Sequence, residues 1–228
     1  MELTQKRIYE DIGEIKETIE CSKRKFSGPY KLFLGYGILQ GALLIFNLVG
    51  NIVLGLSSGN AYFNFATEAA VSVITIVLYL MVYKSERNTS NRYYLIAISI
   101  WGIIAVALPF LLFSARLVVA FCGNDSAVEM LQVLADYKML ANMVLVCVAI
   151  IMVGYITDKR WMLALSILTL FVFVITRVMP ATGIAIPIKG NMEMEIALYS
   201  IVYYVFNVLG YIGLGLLLKH QEKKSGNI

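Results

Sequence analysis

The 228-residue chain is 59% apolar and only 15% charged, with a mean hydropathy of +0.76, whereas soluble domains carry roughly 25% charged residues. That composition excludes an ordinary soluble domain and predicts an all-α, polytopic membrane protein. The net charge of +4 follows from the sidedness described below, so it gives no reason to invoke nucleic acid.

In chain order, residues 1–29 read as an amphipathic cytoplasmic helix ending in a basic juxtamembrane segment. Ile8, Ile12, Ile15 and Ile19 recur at alternating spacings of four and three, with Phe26 continuing the series and Ser22 in the gap. The result is one narrow apolar seam on an otherwise charged helix. Its charge is mixed until Ser22–Lys25, which favours a helix tethered to the membrane at its end over one lying on lipid along its whole length. Such a seam suits a protein partner, a second copy of the chain, or docking against the chain's own cytoplasmic loops.

Residues 30–218 read as a six-helix transmembrane domain, three consecutive hairpins, and residues 219–228 as a cytoplasmic tail. No charge occurs between Lys31 and Glu68, room for one span, a turn and the start of a second. Further uncharged or nearly uncharged runs cover Ala69–Tyr83, Tyr93–Ala115, Met139–Thr157, Trp161–Thr176 and Ile196–Leu218. The first apolar stretch follows a long charged helix and lacks a small-residue cleavage pattern, so it reads as a span of the mature chain and not a signal peptide. Counted by alternate loops, 15 of the 19 Lys and Arg residues lie on one side, leaving Arg116, Lys138, Arg177 and Lys189 on the other. Cytoplasmic loops carry the positive excess, so both termini are expected in the cytoplasm. Tyr30, Tyr83, Tyr93, Tyr94, Tyr155 and Trp161 mark the same boundary. Cys21, Cys122 and Cys147 are distributed before the first span, in an exterior loop and inside the fourth span, a placement that predicts no internal disulfide.

The outer connections differ. Ser57–Asn60 is a minimal turn, whereas Ser126 followed by Glu129 fits a capping box that starts a helix running on to Tyr155. At about 1.5 Å per residue that helix is about 45 Å long, so its first turns are expected to stand outside the hydrocarbon or lie in the interface. The third connection contains Pro180 and Pro187 and is expected to be irregular.

Residues 11–41, DIGEIKETIECSKRKFSGPYKLFLGYGILQG, resemble the start of bacterial multispan proteins of uncharacterised activity. In these a helix of the form IKE, then Ser and a basic residue, then Phe, precedes a Gly-rich first span. The resemblance implies a bacterial plasma (inner) membrane. It implies no activity and transfers no functional residue.

Candidate binding residues are the polar groups within or at the edge of spans. Gln40, Asn47 and Glu68, with Asn142, could line a pocket open to the exterior, with Arg116 and Arg177 as counter-charges at the outer helix ends beside Asp136 and Glu195. The competing reading makes the charges dipole complements and interhelical salt bridges, and the amides interhelical hydrogen bonds. Glu68 is expected about one turn into its helix, behind Asn64 as a cap, where an unpaired carboxylate would be protonated or functional. Gly35, Gly37 and Gly41 in the first span, and Gly210, Gly213 and Gly215 in the last, predict a tight seam between those helices. Met139 with Met143, and Met192 with Met194, have the spacing of soft-metal ligands but no Cys or His beside them, so packing is expected and no metal or cofactor.

Catalytic constellations are missing. The single histidine, His220, lies past the last span, away from any Ser or Cys across the membrane. Asp136 and Asp158 are expected on one helix about 33 Å apart, too far for an aspartyl dyad. There is no HExxH and no Gly-rich phosphate loop. The expected function is a non-enzymatic accessory or sensory subunit that contacts a partner through Ile8, Ile12, Ile15 and Ile19. The alternative is a small-molecule transporter or substrate-capturing component, since size and span number resemble those of the vitamin-binding membrane subunits of energy-coupled importers. A cavity at Gln40, Asn47, Glu68 and Asn142 favours the alternative, and a packed centre disfavours it.

Overall fold

The computed structural model describes residues 27–55, 58–87, 92–122, 127–179, 183–188 and 192–226. The seam of Ile8, Ile12, Ile15 and Ile19 lies outside them, as do Cys21, the cap residue Ser126 and the end of the tail. Five long helices come first: α1 (Ser27–Leu54), α2 (Ser58–Glu86), α3 (Arg92–Cys122), α4 (Ala127–Ile156) and α5 (Trp161–Val178). A two-stranded hairpin, β1 (Gly183–Ile188) and β2 (Met192–Ala197), leads into a composite last helix. That helix consists of α6 (Leu198–Tyr204), a π-helical segment at Val205–Gly210, and α7 (Tyr211–Gly226). Among the described residues six helices are long and apolar enough to cross a membrane. Phe110, Leu111 and Ile167 project 61%, 63% and 71% exposed from two of them, a surface suited to lipid and not to water.

The bundle has two distinguishable ends. One carries Ser27, the α2–α3 and α4–α5 connections and the end of α7; the other carries the α1–α2 and α3–α4 connections and the β-hairpin. We call them the termini end and the hairpin end. Helix α4 is the axis: 56% of its most apolar window is buried, against 12% in α3. It packs on α3, α5 and the last span, while α1 lies between α2 and α7. In the third helix pair, α5 meets the last span through α6, at the hairpin end.

The expected seam between first and last spans is present and polarised. A Cβ on Gly37 would sit 3.0 Å from the Ile212 backbone nitrogen, and one on Gly215 would sit 2.8 Å from the Leu34 nitrogen. Only glycine permits that backbone approach. Gly213 differs, with nothing within 4 Å of its Cβ position. At the same level Phe33, Tyr36, Trp101 and Tyr211 form an edge-to-face aromatic cluster with centroids 4.8–6.1 Å apart. Trp101 Nε1 donates to Tyr211 Oη at 3.1 Å, satisfying a buried indole.

Local signals explain the turns. Gly55 (φ 62°) ends α1 in the left-handed conformation, its N–H bonded to Asn51 O at 3.1 Å. Asn60 Nδ2 then donates to Gly55 O and Asn51 Oδ1, both at 2.7 Å, pinning α2 to that turn. Asp158 (φ 53°) plays the glycine role after α4: Lys159 N–H bonds Gly154 O at 2.9 Å and Asp158 N–H bonds Tyr155 O at 3.4 Å, the two bonds of a Schellman motif. Asp158 therefore lies past the end of α4, and does not share a helix with Asp136 as expected.

The third connection is also a correction, because it is ordered as an antiparallel hairpin. Ile184, Ile186 and Ile188 stand opposite Ile196, Met194 and Met192, alternating with the Ala185–Glu195 and Pro187–Glu193 pairs. The period-two pattern is that of a strand, and a two-stranded ladder has only edges, where a proline missing one donor is tolerated.

Candidate functional site

Polar groups from four helices meet near the middle of the bundle. Asn142 on α4 donates from Nδ2 to Tyr203 Oη at 2.7 Å. Asn207, in the π-helical segment, donates from Nδ2 to the same Oη at 3.3 Å and to Gln40 Oε1 on α1 at 3.2 Å. Asn207 Oδ1 is buried without a hydrogen-bond partner among the described residues. The π turn explains the alignment. In an α-helix residues four apart drift by about 40°, whereas i→i+5 bonding rotates the chain less per residue. Tyr203, Asn207 and Tyr211 consequently all stay buried on one face.

Beside this network Lys138 on α4 forms a salt bridge with Glu68 on α2, both side chains about one-fifth exposed. The expectation for Glu68 is corrected here. Helix α2 begins at Ser58, ten residues earlier, so Glu68 is about 15 Å along the helix, Asn64 is an interior helical residue, and the carboxylate is paired. Asp136 pairs with Arg177, whose guanidinium lies 4.4 Å from the centre of the Tyr199 ring; both charged groups are about 40% exposed. The structural reading of the membrane-edge charges thus accounts for both pairs.

The expected single pocket is divided. Gln40, Glu68 and Asn142 do converge, together with Lys138 and Tyr36, but around a cavity of about 30 Å³. That is room for about two waters, while small-molecule sites run to about 300 Å³ and above. Asn47 is not part of it. Its Oδ1 accepts from Thr67 Oγ1 at 3.4 Å, and it lines a cleft of about 560 Å³ between α1 and the last span, with Leu44, Asn51, Ser200, Tyr204 and Val208. Arg177 belongs to a second cleft, of about 350 Å³, between α4 and α5. Tyr199 borders both clefts. Arg116 lies on α3 two turns from its end at Cys122, and its side chain is outside what the structure describes, as is that of Glu195.

Three contributors escaped the sequence reading: Lys138 as the partner of Glu68, Tyr203 as the hub of the amide network, and Tyr199 between the clefts. The spacing Tyr199, Tyr203, Asn207 was the available signal, a polar stripe at intervals of four within an apolar span. Met143 is buried in a cluster with Phe173 and Tyr203, and Met139 packs against it, as expected of core methionines. The buried Cys147 thiol donates to Ser166 O at 3.2 Å.

Fold and site define an all-α bundle of six membrane-spanning-length helices. No protein-family model, curated protein or solved structure matches the chain.

Proposed function

We propose that the chain is a non-catalytic accessory or sensory subunit of a membrane complex, multi-pass in a bacterial plasma membrane. The termini end is cytoplasmic and the hairpin end is exterior. The Lys and Arg distribution supports that orientation. The observation that carries the functional reading is the contrast in free volume. The two clefts toward the hairpin end hold about 350 and 560 Å³, while the polar centre holds about 30 Å³ above a buried aromatic cluster. Among the described residues, the free volume lies toward the hairpin end, where a molecule can be received, and narrows at the polar centre. The cytoplasmic output is the seam of Ile8, Ile12, Ile15 and Ile19.

Replacing those four isoleucines with Ser in the full chain is expected to remove the proteins that co-purify in mild detergent, with expression and membrane insertion retained. Recovery of the same partners would overturn the reading. Orientation is tested separately: a cysteine introduced at Ser57 is expected to react with a membrane-impermeant maleimide in intact cells. The larger cleft favours a second reading, a substrate-capturing component, for which the co-purifying partner is an ATPase module.

A further inference from the structure

The cleft between α1 and the last span has a shape and polarity that specify an occupant. Toward the termini end, glycine contacts hold the two helices together; a Cβ on Gly41 would already meet Val208 Cγ1 at 3.1 Å. Beyond Gly41 the helices diverge and the cleft opens between them. Its inner end is hydrocarbon, made by Leu44, Val208 and Leu209, and Leu209 is 61% exposed, so the cleft opens sideways from the bundle. Its outer end is more polar, with Asn51, Tyr199 and Ser200 beside Ile196 and Ala197 at the end of β2, and Asn47 lies between the two ends. Among the described residues no charged one lines it.

The cleft's depth matches one leaflet. From Leu44 to Asn51 is about 10 Å along α1, and from Tyr199 to Leu209 about 15 Å along the last span; half a hydrocarbon core of about 30 Å is about 15 Å. A volume of about 560 Å³ is within the range of about 300–1,000 Å³ that encloses a ligand. A soluble polar molecule would leave its hydrogen-bonding groups unsatisfied against Leu44, Val208 and Leu209. A wholly apolar one would leave the polar outer end unused.

We propose that this cleft is a lipid-binding site that takes one acyl chain of a phospholipid from the leaflet at the hairpin end. The chain lies against Leu44, Leu48 and Val208, and the ester region lies at Asn51, Ser200 and Tyr199. The site does not depend on the sensory role, since a lipid held there can be a signal or a structural component.

The test uses the full chain in nanodiscs containing a phosphatidylcholine with a diazirine at the end of one acyl chain, photolysed and mapped by peptide mass spectrometry. Labelling is expected to concentrate on Leu44, Val208 and Leu209, about tenfold above that at the lipid-facing Ile103 and Ile167. Leu48→Trp, which fills the cleft, is expected to reduce cleft labelling about tenfold, equivalent to about 1.4 kcal/mol, with Ile103 and Ile167 unchanged. Ile201→Trp repeats the block from the opposite wall if Leu48→Trp fails to fold. Labelling at the cleft no greater than at Ile103 and Ile167, or undiminished in a folded cleft-filling variant, would overturn the proposal. Partner capture through the N-terminal seam is read independently, so failure here leaves that result standing.

Discussion

At the termini end, α1 and α7 touch backbone to backbone at Gly37 and Gly215, and Phe33, Tyr36, Trp101 and Tyr211 fill the space beside them. At the hairpin end the same two spans carry Asn47, Asn51, Tyr199 and Ser200 where the inner half carries glycine, and a cleft of about 560 Å³ separates them. The two spans are the same, and the residue size at their contact positions differs. In a membrane, where apolar burial gives little drive for helix association, that difference is enough to set close packing at one end and an opening at the other.

The largest way to break the contrast is to hollow out the sealed end. Trp101→Ala removes a fully buried indole and its bond to Tyr211, and is expected to cost about 3–5 kcal/mol, measured by unfolding in bicelles. Next comes the half-buried Glu68–Lys138 pair at the middle level. Lys138→Met is expected to cost about 3 kcal/mol by removing the carboxylate's salt-bridge partner, and the double variant with Glu68→Gln should recover most of that loss. The same exchange at the more exposed pair, Asp136→Asn, should change stability by no more than about 1 kcal/mol. A double variant as unstable as the single would show that the pair is not the coupled unit.

Two glycines on one helix sharpen the comparison further. Gly215→Ala forces a methyl against the Leu34 backbone and is expected to destabilise by about 1–3 kcal/mol. Gly213→Ala meets open space, and should be neutral or stabilising by up to about 1 kcal/mol. A small effect is expected at the amide network: Asn142→Leu removes the 2.7 Å bond to Tyr203, worth about 0.6 kcal/mol on average within membrane bundles. Thermal unfolding in a single detergent ranks all of these, and a Gly213 cost equal to that of Gly215 would refute the polarised seam.

Much of this organisation was legible because it depends on local pattern. Charge-free runs marked the spans, the Ser126–Glu129 spacing marked where the helix at Ala127–Ile156 starts, and glycine spacing indicated which two helices would touch. Alternation in the third connection was legible too, yet Pro180 and Pro187 outweighed it, since proline breaks helices and central strands but is tolerated at an edge. The site was only half legible. Gln40, Glu68 and Asn142 lie around one small cavity, whereas Asn47 of the same set faces a different cleft. Lys138 was visible as an outer basic residue, without any indication that Glu68 would lie deep enough in α2 to reach it.

Sequence by itself determined what each segment could be: the bilayer's thickness fixes span length, period fixes helix or strand, and side-chain size fixes which faces can approach. Tertiary structure decided which polar groups meet and how much space remains between them. Those outcomes depend on helix rotation, on one π turn and on where two helices diverge. Each is set by packing among residues distant along the chain, which no local pattern encodes.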